Sequence, residues 1–94
     1  MPTERTGHNM NFIGDKLYVF AGSNNMKILN DLWCFDTLSM KWEQVHYIGE
    51  ISLRSGSKSC VYGDFMYIYG GYTRRGGEYF NSLHRFSHTT RIIE

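Results

Sequence analysis

The chain of 94 residues has no run of eighteen apolar residues, and no apolar stretch follows the basic residue of its opening Met1-Pro2-Thr3-Glu4-Arg5. Neither a membrane-spanning helix nor a secretory leader is expected from it. An excess of charge of one sign is also missing: ten Lys and Arg stand against nine Asp and Glu, interspersed, for a net charge of +1. That balance leaves no electrostatic footprint for nucleic acid or an anionic membrane, although binding to a single acidic patch stays open. The expectation is a soluble intracellular protein, cytoplasmic or nuclear. Cysteine is scarce too, and Cys34 and Cys60 lack CxxC spacing. Both sit in apolar runs and are expected as buried thiols acting as small hydrophobes, with a disulfide between them as the lesser alternative.

Catalytic and metal-binding patterns are absent as well. No nucleophile elbow, paired-carboxylate spacing or zinc pair occurs, and Arg75-Gly76-Gly77 lacks both the spacing and the following helix that a phosphate loop needs. Of His8, His46, His84 and His88, the last two flank a strand-like stretch whose four residues span about 13 Å, too far for one ion without a turn between them. Solvated or hydrogen-bonded histidines are the expectation, with no metal, no cofactor and no enzyme activity.

What the chain does have is one pattern written twice, forty-nine positions apart. Phe12-Ile13-Gly14-Asp15 runs into Leu17 to Phe20 and stops at Ala21-Gly22. Val61-Tyr62-Gly63-Asp64 runs into Phe65 to Tyr69 and stops at Gly70-Gly71. Gly-Asp between two apolar runs is a hairpin signal, because the favoured two-residue turns need positive φ at their first central position. The strand that follows is apolar on both alternating faces, Leu17 and Val19 against Tyr18 and Phe20, then Met66 and Ile68 against Tyr67 and Tyr69. Such a strand is expected to be covered on both sides. The small pairs Ala21-Gly22 and Gly70-Gly71 are expected where other backbone comes close or φ turns positive.

Four antiparallel strands are expected in the first unit: 9–13, 16–20, 29–36 and 41–45, with a turn-forming loop at Ser23-Asn24-Asn25-Met26-Lys27. Residues 46–53 connect to Arg54-Ser55-Gly56, which restarts the cycle of Arg5-Thr6-Gly7. The second middle loop is two residues longer, so Asn81-Ser82-Leu83 and Phe86 align with Asn30-Asp31-Leu32 and Phe35, and Ile93 falls opposite Trp42. A period near fifty, with four strands per period and small residues after the second, indicates an all-β chain of two four-stranded antiparallel propeller blades. The blades are expected at 1–49 and 50–94, the outer strand of the second cut short at Glu94.

These residues resemble the kelch repeat: Arg-x-Gly-His, an apolar hairpin ending in Gly-Gly, a variable loop, then Leu-x-Asp-Leu-Trp-x-Phe-Asp and a closing Trp. The first unit matches nearly throughout, with Ala21 for the first Gly. The second departs at Ser57 for His, Ser82 for Asp, His84 for Trp, Ser87 for Asp and Ile93 for the closing Trp. Phe-Ala-Gly with Leu-Asn-Asp-Leu-Trp is similar to leucine-zipper-like regulators and related kelch adaptors. On this resemblance Gly14, Asp15, Gly22, Trp33, Trp42, Gly63, Asp64, Gly70 and Gly71 are motif residues of the blades, the tryptophans filling space between sheets. Asp31 and Asp36 read as turn and hydrogen-bonding residues.

The resemblance implies a protein-interaction module that binds a partner protein or peptide through loops, conceivable as the substrate-reading piece of a ubiquitin-ligase adaptor. In kelch adaptors the Arg of Arg-x-Gly grips acidic groups in the central channel. By position these are Arg5 and Arg54, each of which could instead pair with a neighbouring carboxylate or carbonyl. Loop candidates for partner contact are Asn24, Asn25 and Lys27 in the first unit and Tyr72, Arg74 and Arg75 in the second. The resemblance also implies five to seven blades in a closed ring. Two stacked blades leave two bare faces of roughly 300 Å² each. The remainder of a longer propeller or a homo-oligomer, such as a trimer of six blades, would cover them, which makes a purely structural, self-assembling unit the alternative function. Galactose oxidase, a copper-containing kelch relative, draws notice to Tyr72, Tyr79, Cys60 and His84 as a remote third reading.

Overall fold

The protein is described by a computed structural model covering residues 2–73 and 79–94. Seven strands follow one another: β1 (Asn9–Ile13), β2 (Lys16–Ser23), β3 (Ile28–Asp36), β4 (Lys41–Val45), β5 (Lys58–Tyr62), β6 (Phe65–Tyr69) and β7 (Leu83–Ser87). No helix occurs among the described residues. They form two antiparallel meanders, β1-β2-β3-β4 and β5-β6-β7. Ile13 pairs with Lys16, and Tyr62 with Phe65. Each pair brackets a two-residue turn whose Gly14 or Gly63 stands at φ +60° or +62°, the conformation only glycine adopts without strain.

The strand expected to end at Phe20 continues to Ser23. Ala21 bulges out at φ 61°, the register shifts between Phe20 and Gly22, and pairing then resumes as Gly22 with Leu29 and Ser23 with Ile28. Gly22 is needed at this crowded point: a Cβ there would come within 2.7 Å of the Thr6 carbonyl oxygen. In the second sheet β6 does end at Tyr69, and Gly70 and Gly71 both take positive φ. At its outer edge Ile93 bridges Phe86, and Arg85 and Glu94 exchange main-chain hydrogen bonds of 2.9 and 3.0 Å. Residues 92–94 thus lie along β7 as the start of a fourth strand, with Ile93 opposite Phe86 as Trp42 is opposite Phe35.

The core is the seam between the sheets. Tyr18, Phe20, Leu32, Cys34 and Val45 of the first meet Met66, Ile68, Phe86 and Ile93 of the second in one buried cluster, with Tyr18 and Phe86 ring centroids 5.7 Å apart. Each fully buried large apolar side chain is worth about 1.5–3 kcal/mol. The rim is polar: Asn9 donates to Ser57 and Ser59 to Asn11, both at 2.5 Å, and Arg91 pairs with Glu43 at 3.1 Å. Main-chain bonds from Gly22 to Arg54 and from Gly56 to Gly7 tie the inner ends together.

Only one face of each sheet is covered, which corrects the expectation for β2 and β6. Val19 is buried on the outer face by its own sheet, in register between Met10 and Trp33. Its neighbours Met10 and Phe12 are exposed, as are Tyr62, Tyr69 and Leu83 on the far side of the second sheet. Trp33 and Trp42 stand half-buried on that first outer face, Trp42 against Phe35 at 5.0 Å. One of the two cysteines, Cys60, also differs from expectation in its exposure. Both are free, Cys34 buried in the seam and Cys60 exposed, because Cys60 pairs across to Tyr67 on the outer face and no layer covers it.

Candidate functional site

The opening arginines lie at equivalent places, where the inner ends of the strands converge. Arg5 donates Nε to the Thr3 carbonyl at 3.2 Å and Nη1 to the Ala21 carbonyl at 3.2 Å. Arg54 donates Nε to the Ser52 carbonyl at 3.2 Å and Nη1 to the Gly70 carbonyl at 2.9 Å. These acceptors are the same repeat positions, forty-nine residues apart. The bulge at Ala21 and the positive φ at Gly70 aim the two carbonyls alike.

Beyond those bonds the hubs diverge. Arg5 grips the Asp31 carboxylate with both Nη atoms, at 2.6 and 3.1 Å, and Trp33 Nε1 donates to the same carboxylate at 2.7 Å. Burial alone would raise the Asp31 carboxyl, but the hydrogen bonds from Arg5 and Trp33, with the charge of Arg5, hold it below its ordinary value. In the second blade Ser82 stands where Asp31 does and His84 where Trp33 does. Arg54 is 1% exposed, its guanidinium 4.4 Å from the centre of the Phe80 ring, and no carboxylate pairs with it among the described residues. Burial draws its pKa below the ordinary value. His84 keeps a buried Nδ1 without a hydrogen-bond partner, and burial, then the charge of Arg54, lower its pKa. Among the described residues, His84 Nδ1 thus lacks an acceptor, and Arg54 has carbonyl and ring partners but no acid.

His84 also borders a cleft of about 490 Å³ with Asn30, Tyr47, Glu50 and Ser52. A second cleft, of about 470 Å³, lies between the blades' loops, lined by Asn24, Asn25, Met26, Lys27, Leu53 and Thr73. Asn24 spends its side chain on the loop itself, accepting from the Met26 and Lys27 amides at 2.9 and 3.0 Å, while Asn25 and Lys27 are exposed. Tyr72 exchanges main-chain bonds with Ser55 and stacks beside Tyr79 at 6.1 Å, so its backbone is structural and its ring borders solvent. Arg74 and Arg75 lie outside the described residues. Of the sequence candidates, the structure brings Asn24, Asn25 and Lys27 together at one cleft and sets the two arginines apart in the hubs. Ser82 and His84 were legible as departures from the repeat pattern, but their place beside Arg54 was not. The copper-type set is not assembled: Cys60 and His84 are on opposite faces of the second sheet, and no cluster of three metal-ligating side chains occurs among the described residues.

Two meanders stacked face to face, with small residues at the inner ends, are blades of a partial β-propeller. The family comparison agrees: residues 1–92 match the KLHDC2/KLHL20/DRC7 Kelch-repeats domain. The chain belongs to the kelch-repeat family, whose members are in general protein-interaction modules. It is 32% identical over 92 residues to human Kelch domain-containing protein 3, covering 96% of this chain and 24% of that protein. It is 38% identical over 85 residues to the Drosophila melanogaster Leucine-zipper-like transcriptional regulator 1 homolog, covering 83% of this chain and 9% of that protein. With the Dictyostelium discoideum Rho GTPase-activating protein gacHH the identity is 30% over 91 residues, 93% of this chain and 6% of that one. The chain thus spans about a quarter of the length of the Kelch domain-containing relatives it matches.

Proposed function

We propose that the chain forms part of a partner-binding propeller that reads a carboxylate on a protein or peptide through the hub of its second blade. The observation that carries this is the difference between the arginines: Arg5 has its carboxylate in Asp31, whereas Arg54 has the same two carbonyls and Ser82 in place of the acid. Among the described residues, Arg54 and His84 are the groups that an incoming carboxylate would satisfy, and the loop cleft at Asn24, Asn25 and Lys27 offers flanking contacts. Arg5 is already neutralised and has a structural role in this reading. Selection of acidic partners for a ubiquitin-ligase adaptor in the cytoplasm or nucleus is the setting in which such a module would act, in keeping with its resemblance to kelch adaptors.

The test compares blocked peptides rich in glutamate with the same peptides carrying glutamine, by fluorescence anisotropy. Glutamate peptides are expected to bind more tightly by about tenfold or more, the value of one charge-assisted hydrogen bond. Ser82→Asp, which supplies the acid in place, is expected to abolish that preference, and Ser82→Asn to retain it. Equal binding of both peptide sets would overturn the reading.

A second reading is favoured by the bare apolar faces at both ends of the stack: the chain is a structural unit that assembles through them. Tyr62 at 78% and Leu83 at 62% exposure are far more open than side chains of a finished propeller interior.

A further inference from the structure

Ser82 stands in the place of an acid, in a hub that keeps the cation the acid would meet. The registers of the two blades agree: Phe20 pairs with Leu32 and Tyr69 with Leu83, so Asp31 comes beside Ala21 as Ser82 comes beside Gly70. Gly70 fastens the second hub from two directions. Its carbonyl accepts from Arg54 Nη1 at 2.9 Å, and its amide donates to the Ser82 carbonyl at 3.2 Å. The Ser82 side chain is thus rooted beside Arg54, as the side chain of Asp31 is rooted beside Arg5, which it meets at 2.6 and 3.1 Å. A serine hydroxyl is shorter than that carboxylate and carries no charge. A phosphate on the same oxygen reaches one bond further than the carboxylate and carries about −1.5 to −2 at neutral pH.

We propose that Ser82 is a phosphorylation site whose phosphate docks on Arg54 and His84 and closes the second hub from within. The phosphoryl donor is a nucleoside triphosphate and the catalyst a protein kinase. The bond from Ser82 Oγ to phosphorus forms as the bond from the γ-phosphorus to its bridging oxygen breaks. The hydroxyl proton passes to the basic carboxylate of the kinase, and the nucleoside diphosphate leaves. Hydrolysis by a phosphatase restores the hydroxyl. Ser82 is half-buried and lies outside the strands, in the short segment 80–82 that leads into β7, with Asn81 exposed beside it.

The exchange of Trp33 for His84 suits the same ligand. Trp33 gives Asp31 one neutral N–H, so the first hub sets a single carboxylate against a single guanidinium. His84 has a buried Nδ1 without a partner, and an imidazole can supply a charge as well as a hydrogen bond. A phosphate beside it favours the charged form. Arg54 and a protonated His84 then match a dianion in charge. The cleft of about 490 Å³ bordered by His84 is also bordered by Ser52, whose carbonyl Arg54 holds, which leaves space for a tetrahedral group at the hub. Being tethered, the phosphate has an effective concentration there of about millimolar or more, and it displaces an external carboxylate. That last consequence rests on the reading of the hub as a carboxylate receptor.

Phosphoserine incorporated at position 82 during translation is expected to raise the thermal midpoint by at least the shift of Ser82→Asp. Phosphoserine at position 39, an exposed serine in the turn between β3 and β4, is expected to leave it unchanged. The phosphate at position 82 is expected to resist alkaline phosphatase until urea unfolds the chain, and His84→Gln to shorten that resistance. A midpoint unchanged or lowered, or a phosphate removed as fast from the folded chain as from the unfolded one, would overturn the docking. The phosphorylated chain is also expected to lose the tenfold advantage of glutamate peptides. A raised midpoint in a chain whose unmodified form never preferred glutamate would end the carboxylate reading and leave the phosphate site standing. Incubation of the unmodified chain with cell lysate and nucleoside triphosphate, followed by phosphosite mapping, is expected to label Ser82. Label confined to other hydroxyls would overturn its assignment as a modification site.

Discussion

The hub of the first blade and the hub of the second start from the same parts and end in different electrostatic states. In each, an arginine bonds the carbonyl two residues before it and the carbonyl at the bulged or glycine end of the second strand. In the first, Asp31 then joins Arg5 and Trp33 into a neutral, satisfied unit. In the second, Ser82 and His84 leave, among the described residues, a buried cation with carbonyl and ring partners but no acid, and an imidazole nitrogen with no partner. Carbonyl dipoles orient a guanidinium but do not neutralise it, and a buried charge without a counter-charge costs several kcal/mol relative to a paired one. Repetition of a backbone thus preserves the cradle, while two side-chain changes remove the ion pair that neutralises it.

The comparison breaks most severely at Asp31. Asp31→Ala removes the counter-charge of a buried arginine and strands the Trp33 N–H, so a loss of about 3 kcal/mol is expected in urea unfolding. The same hub also sets an acid limit. The Asp31 pKa is lowered in the fold, so its contribution is present above the unfolded value and is lost as pH falls through the folded one. Next in size is the repair of the second hub. Ser82→Asp recreates the acid beside Arg54 and is expected to stabilise the chain by about 1.5 kcal/mol, the scale of one charge-assisted bond. That is roughly 6–12 °C in thermal midpoint for a domain of this size. An unchanged midpoint would mean that the two hubs differ in geometry as well as in charge.

Much of the comparison could be read from the chain itself. The Gly14-Asp15 and Gly63-Asp64 turns are local signals, and both hairpins close as their residues require. The substitutions at Ser82 and His84 are visible by aligning one unit on the other. Their consequence is not, because Arg5 reaches Asp31 across twenty-six residues and the pairing emerges only when β3 lies beside β2. Period-two alternation likewise says which residues share a face but not which face is covered, so Cys60 reads the same as Cys34 although one is exposed and the other buried. The extension of β2 past Phe20 escaped for a third reason: the small pair Ala21-Gly22 marks positive φ, which both residues take, but not that pairing resumes beyond the bulge.

The smallest expected effect is also the one that separates the hubs by pH. His84 has its pKa lowered, first by burial and then by Arg54, so the folded state holds this proton less tightly than the unfolded chain. Between the folded and the unfolded values the unfolded state binds more protons, and stability therefore rises with pH through that window. Below the ordinary imidazole value near 6.5 the wild type is expected to lose stability progressively, before the carboxylates of the first hub respond. His84→Gln should flatten that slope. Ser82→Asp should act differently: a carboxylate near His84 favours its charged form, so the slope shrinks or reverses with the histidine still in place. Urea midpoints at pH 5, 6 and 7 for the three proteins measure this. A slope that persists in His84→Gln would assign the acid sensitivity to other groups and leave the second hub indifferent to protons.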